Sequence, residues 1–217
     1  MRRTLTRLAA VCGAAVLLSS CAGMSGSGMS FFITSVGSGK GGDLGGIAGA
    51  DAHCKMLAEG AGVRGKTWAA YLSAPASGGS PAVNARDRIG NGPWYNAKGA
   101  LIALNNAELH GTNGITKETA LDEKGNRIKV RGDTPNQHDI LTGSNPDGTL
   151  AQAADASCRA WTSSTDGSAI VGHVDRTGTN PDPVKNASWN SSHGTPGCST
   201  EALARVGGGG LFYCMAK

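Results

Sequence analysis

"GTPGCSTEALARVGGGGLFYCMAK", residues 194–217, closes the chain with two cysteines, Cys198 and Cys214, around a glycine run that leads into an apolar stretch. The segment "GGLFYCMA" has the β-branched-poor but continuously apolar and aromatic character of a buried strand, and a cysteine sits inside it. What that sulfur holds decides the fold. The answer depends on the redox compartment, to which the opposite end of the chain speaks.

Residues 1–20 start with Arg2, Arg3 and Arg7 and run on through an almost wholly apolar stretch from Leu8 to Leu18. This is the composition of an export signal. The stretch falls short of the about 20 apolar residues that a membrane-crossing helix needs. Leu18-Ser19-Ser20-Cys21 resembles the lipobox of bacterial lipoproteins, in which the cysteine sulfur is acylated and becomes the first mature residue. The resemblance implies a lipid anchor on Cys21, each buried methylene adding about 0.8 kcal/mol of membrane attachment. Ala22, rather than an acidic residue, resembles the pattern sorted to the outer membrane. The expected protein is exported and lipid-anchored at the outer membrane or cell surface, its membrane contact made through the lipid.

Removing residues 1–20, with their three arginines and no acids, turns 20 basic and 16 acidic residues into 17 and 16. The near-zero mature charge offers no basic face for nucleic acid, so that class of partner is excluded. Residues 21–30 read as a flexible Gly/Ser tether. Residues 31–217 suit one domain. Abundant glycine, few helix-period stripes and four scattered tryptophans point to a loop-rich α+β domain.

Within that domain "FFITSVG" predicts a first strand, and Ile47, Ala50, Cys54 and Leu57 recur at helical spacing before Gly60 and Gly62. "KTWAAYLS" predicts a second strand. "SPAVNARDRI" predicts a short helix with Ser80 as cap and Pro81 at its first position. "HDILTGSNPDGT" reads as a strand entering a turn, and "SCRAWTSS", "SAIVGHVD" and "GGLFYCMA" as strands; residues 105–137 read as irregular polar surface loops. An oxidising compartment favours disulfides among Cys54, Cys158, Cys198 and Cys214. Four cysteines allow three pairings, among which spacing does not choose.

"GADAHCKMLAEGAGVRGKTWAAYLS", "ARDRI", "GPWYN", "ILTGSNPDGT", "SCRAWTSS", "GCSTEA" and "LFYC" follow one another in an order that resembles the endostatin-like branch of the C-type-lectin-like superfamily, as found in bacterial surface lipoproteins of the DUF1554 type. The resemblance implies a single C-type-lectin-like (endostatin-like) α+β domain, loop-rich, with short helices packed on a twisted, mostly antiparallel sheet and two nested disulfides, Cys54 with Cys214 and Cys158 with Cys198. It also implies a non-catalytic surface module that recognises an extracellular protein or polysaccharide.

Calcium-dependent lectins of that superfamily use a Pro-centred tripeptide and a later "WND". Here Asn145-Pro146-Asp147 and Trp189-Asn190-Ser191 stand in comparable order, with Ser191 in place of a carboxylate. Asn145, Asp147, Trp189 and Asn190 are therefore the candidate ligand-binding residues. Calcium is the one cofactor the pattern admits, and a glycan-binding lectin or a purely structural envelope lipoprotein are the alternative functions.

The remaining motifs read blandly. "GSGKGG" at 37–42 lacks the Lys-Ser/Thr of a phosphate loop, and "RGD" at 131–133 sits in a polar loop. His53, His110, His138, His173 and His193 show no ligand-spaced pair, so no zinc site is expected. Endostatin's N-terminal histidine site has no counterpart before His53. No nucleophile elbow or carboxylate pair announces an enzyme. The anchor reading makes the first prediction: Cys21→Ser releases the protein from the membrane fraction or leaves the precursor uncleaved, as followed by fractionation and metabolic labelling with palmitate.

Overall fold

The computed structural model describes residues 28–217. The signal segment, Cys21 and most of the tether lie outside the described residues. Met29 and Ser30, assigned above to the tether, are already buried, and the Ser30 hydroxyl donates to Pro93 O at 3.3 Å.

The elements in chain order are β1 (Phe31–Ile33), α1 (Gly46–Gly60), β2 (Trp68–Ala70), α2 (Ala85–Arg88), β3 (Trp94–Tyr95), β4 (Leu101–Ala103) and α3 (Asn106–Leu109). They continue with β5 (Asp139–Leu141), α4 (Cys158–Trp161), β6 (Ile170–His173), α5 (Pro183–Asn186), β7 (His193–Gly194), α6 (Thr200–Ala204) and β8 (Gly208–Ala216). The architecture is α+β, with short helices on a six-stranded sheet and a small β3-β4 hairpin beside it.

β8 is the spine. β1 pairs along one edge, antiparallel, with Phe32 opposite Cys214. The other edge takes β5, parallel, near its start and β2, antiparallel, near its end. Both faces of β8 are covered. Phe212, Cys214 and Ala216 enter one hydrophobic cluster with Phe32, Trp68, Trp161 and the buried Ala50, Cys54 and Ala58 of α1. Leu211, Tyr213 and Met215 enter a second with Phe31, Tyr71, Trp94 and Trp189. This period-2 partition explains why the segment is apolar throughout: a strand buried on both sides has no solvent face to make polar.

The nested disulfides are present, Cys54–Cys214 and Cys158–Cys198. The outer bridge fastens α1 to the C-terminal half of β8. The inner bridge ties α4 to the segment before α6. Gly42 packs directly on it: an added Cβ would lie 2.5 Å from Cys158 Sγ, and the Gly42 amide donates to Cys198 O at 2.8 Å. "GSGKGG" is thus a close-packed turn against a disulfide.

Two local expectations are corrected. "SCRAWTSS" is not a strand: Cys158, Arg159, Ala160 and Trp161 all have positive φ, between 46° and 66°, forming a left-handed turn. Such a turn costs about 1–2 kcal/mol per residue. It is held by the bridge, by Ser157 capping Ala160 N at 3.2 Å, and by Trp161 Nε1 donating to Ser73 O at 2.9 Å. The helix expected from Ser80 starts only at Ala85. Val83 pairs with Ala74 and Ser80 with Ser77, so Pro81 lies in an extended return that borders the helix rather than opening it.

Residues 105–137 are largely irregular, but they are not a free surface. Leu109, Ile115, Ile128 and Val130 fill the second cluster, and the buried Glu123 accepts from Ser35 N at 3.0 Å and Ser35 Oγ at 2.6 Å. The RGD aspartate accepts from Val130 N at 2.8 Å and so closes its own turn.

Non-reducing peptide mapping is expected to recover Cys54 joined to Cys214 and Cys158 to Cys198. On loop-closure entropy, removing the outer bridge by Cys54→Ala with Cys214→Ala lowers stability by about 5 kcal/mol and removing the inner one by about 4 kcal/mol, measured by urea unfolding.

Candidate functional site

The sequence-predicted residues do come together. Asn145 and Asp147 lie in the turn after β5, and Trp189 and Asn190 in the loop between α5 and β7. Asn190 is 1% exposed, and its Nδ2 donates to Tyr71 Oη at 2.9 Å, Asn145 O at 3.2 Å and Pro146 O at 3.1 Å. Tyr71 Oη also meets His110 Nε2 at 2.8 Å, and Tyr213 Oη donates to Trp189 O at 2.8 Å. The Tyr71 and Trp189 rings lie 4.8 Å apart. Burial raises the pKa of the Tyr71 phenol and lowers that of the His110 imidazole, so both stay neutral in this apolar setting.

Their polar atoms are committed to holding loops, not to presenting oxygens. Asn145 Nδ2 donates to Thr149 Oγ1 and Leu150 O, each at 3.0 Å. Asp147 Oδ1 accepts from Thr149 Oγ1 at 2.6 Å and Thr149 N at 3.0 Å, which holds its carboxyl below the usual range, and Oδ2 faces Arg86 at 3.7 Å. One committed carboxylate and inward-donating amides do not make the cage of six to eight oxygens that calcium takes. What this scaffold does shape is a surface cleft of about 490 Å³ lined in part by His110, Pro146, Arg176, Val184, Lys185 and Trp189.

A second constellation had no signature in the sequence. Asp139 opens β5 and is 0% exposed. β5 pairs with β6 so that Asp139 stands opposite His173, and β6 pairs with β7 so that Val171 stands opposite His193. Because side chains alternate along a strand, this register brings Asp139, His173 and His193 to one face of the sheet. His138, immediately before the strand, joins them, its ring stacked on that of His173 with centroids 4.6 Å apart.

Asp139 Oδ1 lies 3.2 Å from His138 Nε2 and 3.4 Å from His173 Nε2, and Oδ2 lies 3.4 Å from His193 Nε2. None of these approaches is aligned as a hydrogen bond, and neither carboxylate oxygen has another hydrogen-bond partner among the described residues. His193 is raised above the usual imidazole range by the carboxylate beside it, whereas burial lowers His173. Burial works to raise Asp175, yet the hydrogen bonds it accepts, from His138 first, hold it at about 2. The cluster borders a cavity of about 400 Å³ to which Arg131, Thr179 and Arg205 also contribute.

The Ser192 hydroxyl lies 3.1 Å from both ring nitrogens of His173. It does not complete a nucleophilic relay, which needs the serine and the carboxylate on opposite nitrogens; here Asp139 faces Nε2 and the Asn186 carbonyl faces Nδ1. His138, Asp139 and His173 place ligand atoms within 4.8 Å of one another, as a metal-binding group does. Three of the five histidines, separated by 35 and 20 residues in sequence, thus meet only through strand register, which no local spacing rule anticipates.

Compared by sequence with known proteins, the chain matches no family model and no curated relative.

Asn190 carries the predicted scaffold. Asn190→Ala leaves the Tyr71 hydroxyl and two carbonyls without their donor and is expected to cost about 2–3 kcal/mol, read as a lowered denaturation midpoint. Asn190→Asp is expected to cost at least as much, because a carboxylate cannot donate to either carbonyl.

Proposed function

We propose that this protein is a lipid-anchored surface binding module, non-catalytic, with a C-type-lectin-like, endostatin-like domain that recognises an extracellular protein. The single observation that supports it most is the cleft over the Asn190 scaffold: a concave surface whose walls are pinned by buried hydrogen bonds and whose rim carries Val184, 73% exposed, beside Lys185. An apolar side chain held out to solvent on a capped turn gains by being buried against a partner. The cap of α5 is Asp182, whose carboxylate accepts from Val184 N at 2.9 Å.

The ordered, nested disulfides and the succession of segments that resembles endostatin-like lipoproteins support the fold assignment. The lipobox-like Leu18 to Cys21 supports the anchor. A glycan ligand is less favoured, because nine of the ten aromatic side chains are buried and only Tyr95 is partly exposed, which leaves little surface on which a sugar ring could stack. The scaffold chemistry favours a calcium-independent contact.

Binding of the purified protein to immobilised extracellular-matrix and serum proteins, and to a glycan array, tests this reading. Val184→Asp with Lys185→Glu is expected to weaken a protein ligand by about tenfold or more, as for loss of an anchoring residue, with an unchanged melting temperature. Millimolar calcium is expected to leave both binding and melting temperature unchanged. Binding confined to glycans, or insensitive to the Val184 and Lys185 changes, would remove the protein-cleft reading.

A further inference from the structure

The cluster around Asp139 lies outside the cleft and does not depend on which partner the cleft takes. We propose that His138, Asp139, His173 and His193 bind one divalent transition-metal ion of the zinc class.

The first argument is the direction of the imidazoles. His138 Nδ1 faces Asp175 Oδ1 at 2.9 Å, His173 Nδ1 faces Asn186 O at 3.0 Å, and His193 Nδ1 faces Gly194 O at 3.1 Å. Carboxylate and carbonyl oxygens only accept, so in each neutral ring Nδ1 carries the proton and the lone pair resides on Nε2. All three Nε2 atoms then turn toward the same buried carboxylate. Outer acceptors that fix the tautomer and orient the free nitrogen are the usual support of metal-ligating histidines.

The second argument is what stands between them. Asp139 is fully buried, and neither of its oxygens has a hydrogen-bond donor among the described residues. A carboxylate surrounded by lone pairs is electrostatically unfavourable unless a cation joins the group. Protons on the imidazoles would serve that purpose through aligned N–H···O bonds, and the three approaches lack that alignment. Ser192 lies across the edge of the His173 ring and gives Asp139 no donor.

The third argument is distance. The His138 and His173 Nε2 atoms lie 3.2 and 3.4 Å from the one oxygen Asp139 Oδ1, separations that match the edge of a tetrahedron, which is ~3.3 Å for zinc bonds of about 2.0–2.1 Å. His138, Asp139 and His173 form one face, and His193 approaches the carboxylate's other oxygen from the cavity side, its side chain 29% exposed. Metal therefore has a route in. The rings are also closely backed: a Cβ at Gly178 would overlap His173, and one at Gly207, where φ is +100°, would come within 3.0 Å of the His138 ring. Imidazole-rich ligation with one carboxylate selects zinc and its neighbours over calcium or magnesium, which take oxygen.

The test uses untagged full-length protein, stripped with a chelator, dialysed, and titrated with Zn²⁺ alone and separately with Co²⁺. The expected result is one equivalent of zinc taken up against a competing chromophoric chelator. Cobalt is expected to give the visible absorption of a four-coordinate site, and the melting temperature to rise with free metal. His193→Ala, at the cavity edge, and His173→Gln are each expected to weaken zinc by more than ~10-fold, beyond the lower end of what losing an outer-shell partner costs, while His53→Ala on α1 leaves uptake unchanged. Asp139→Asn is expected to abolish the cobalt spectrum; if that variant does not fold, the two histidine variants, checked for native circular dichroism, carry the decision. Failure of the wild-type protein to take up stoichiometric zinc, or uptake that survives both histidine changes undiminished, overturns the proposal and leaves a histidine–aspartate network held by protons.

Discussion

Cys214 sits where every constraint on the domain crosses. It lies midway along a hydrogen-bonded junction of three strands, opposite Phe32 of β1 on one edge and Ala70 of β2 on the other, and its sulfur reaches out of the sheet to α1. A bridge across 160 residues removes conformations from the unfolded chain that a loop-rich fold, with many glycines to order, would otherwise have to offset by burial alone. The sheet, the helix that covers it and both ends of the described chain are fixed by one covalent contact. The inner bridge has a narrower task. It holds a left-handed turn that L-residues do not adopt unaided, and that turn delivers Trp161 into the core beside the first bridge.

Two groups of buried polar residues flank this spine, and they differ in how far they are satisfied. Around Asn190 each amide proton has an acceptor, so the group acts as a rigid bolt between the Asn145 turn, the Trp189 loop and Tyr71. Around Asp139 the accounting is left open, with acceptors facing acceptors at the start of the same sheet. Buried groups left without partners are uncommon enough in folded proteins that each asks for a reason. The closed group shapes a surface, and the open one is poised to take something in.

The terminal strand, the Cys54 helix and the strands at Phe31, Trp68, Asp139 and Ile170 were legible because each is an uninterrupted apolar or helically periodic run. The cysteine partners were not legible from spacing; they were expected only from the resemblance of the segment order to endostatin-like domains. "SCRAWTSS" looked extended because nothing in residue type announces a left-handed turn built on a tertiary bridge. The burial of Ile115, Ile128 and Val130 was hidden because lone apolar residues in a polar stretch carry no periodicity. The Asn145, Asp147 and Asn190 grouping was visible as a motif, but whether an amide presents its oxygen or its nitrogen is decided by neighbours distant in sequence. The histidine cluster needed two strand registers at once, Asp139 against His173 and Val171 against His193, and register is a property of the folded sheet.

β8 also gives the molecule a polarity. The described chain enters beside its far end, where Phe31 pairs with Met215, whereas Asp139 pairs with Gly208 at its near end. Seven residues of strand at about 3.3 Å each set these two points about 23 Å apart. The start of the described chain therefore lies at one pole, and the Asp139 histidines occupy the other. Whatever binds at the Asp139 pole sits about 23 Å along the strand from the point where the described chain begins.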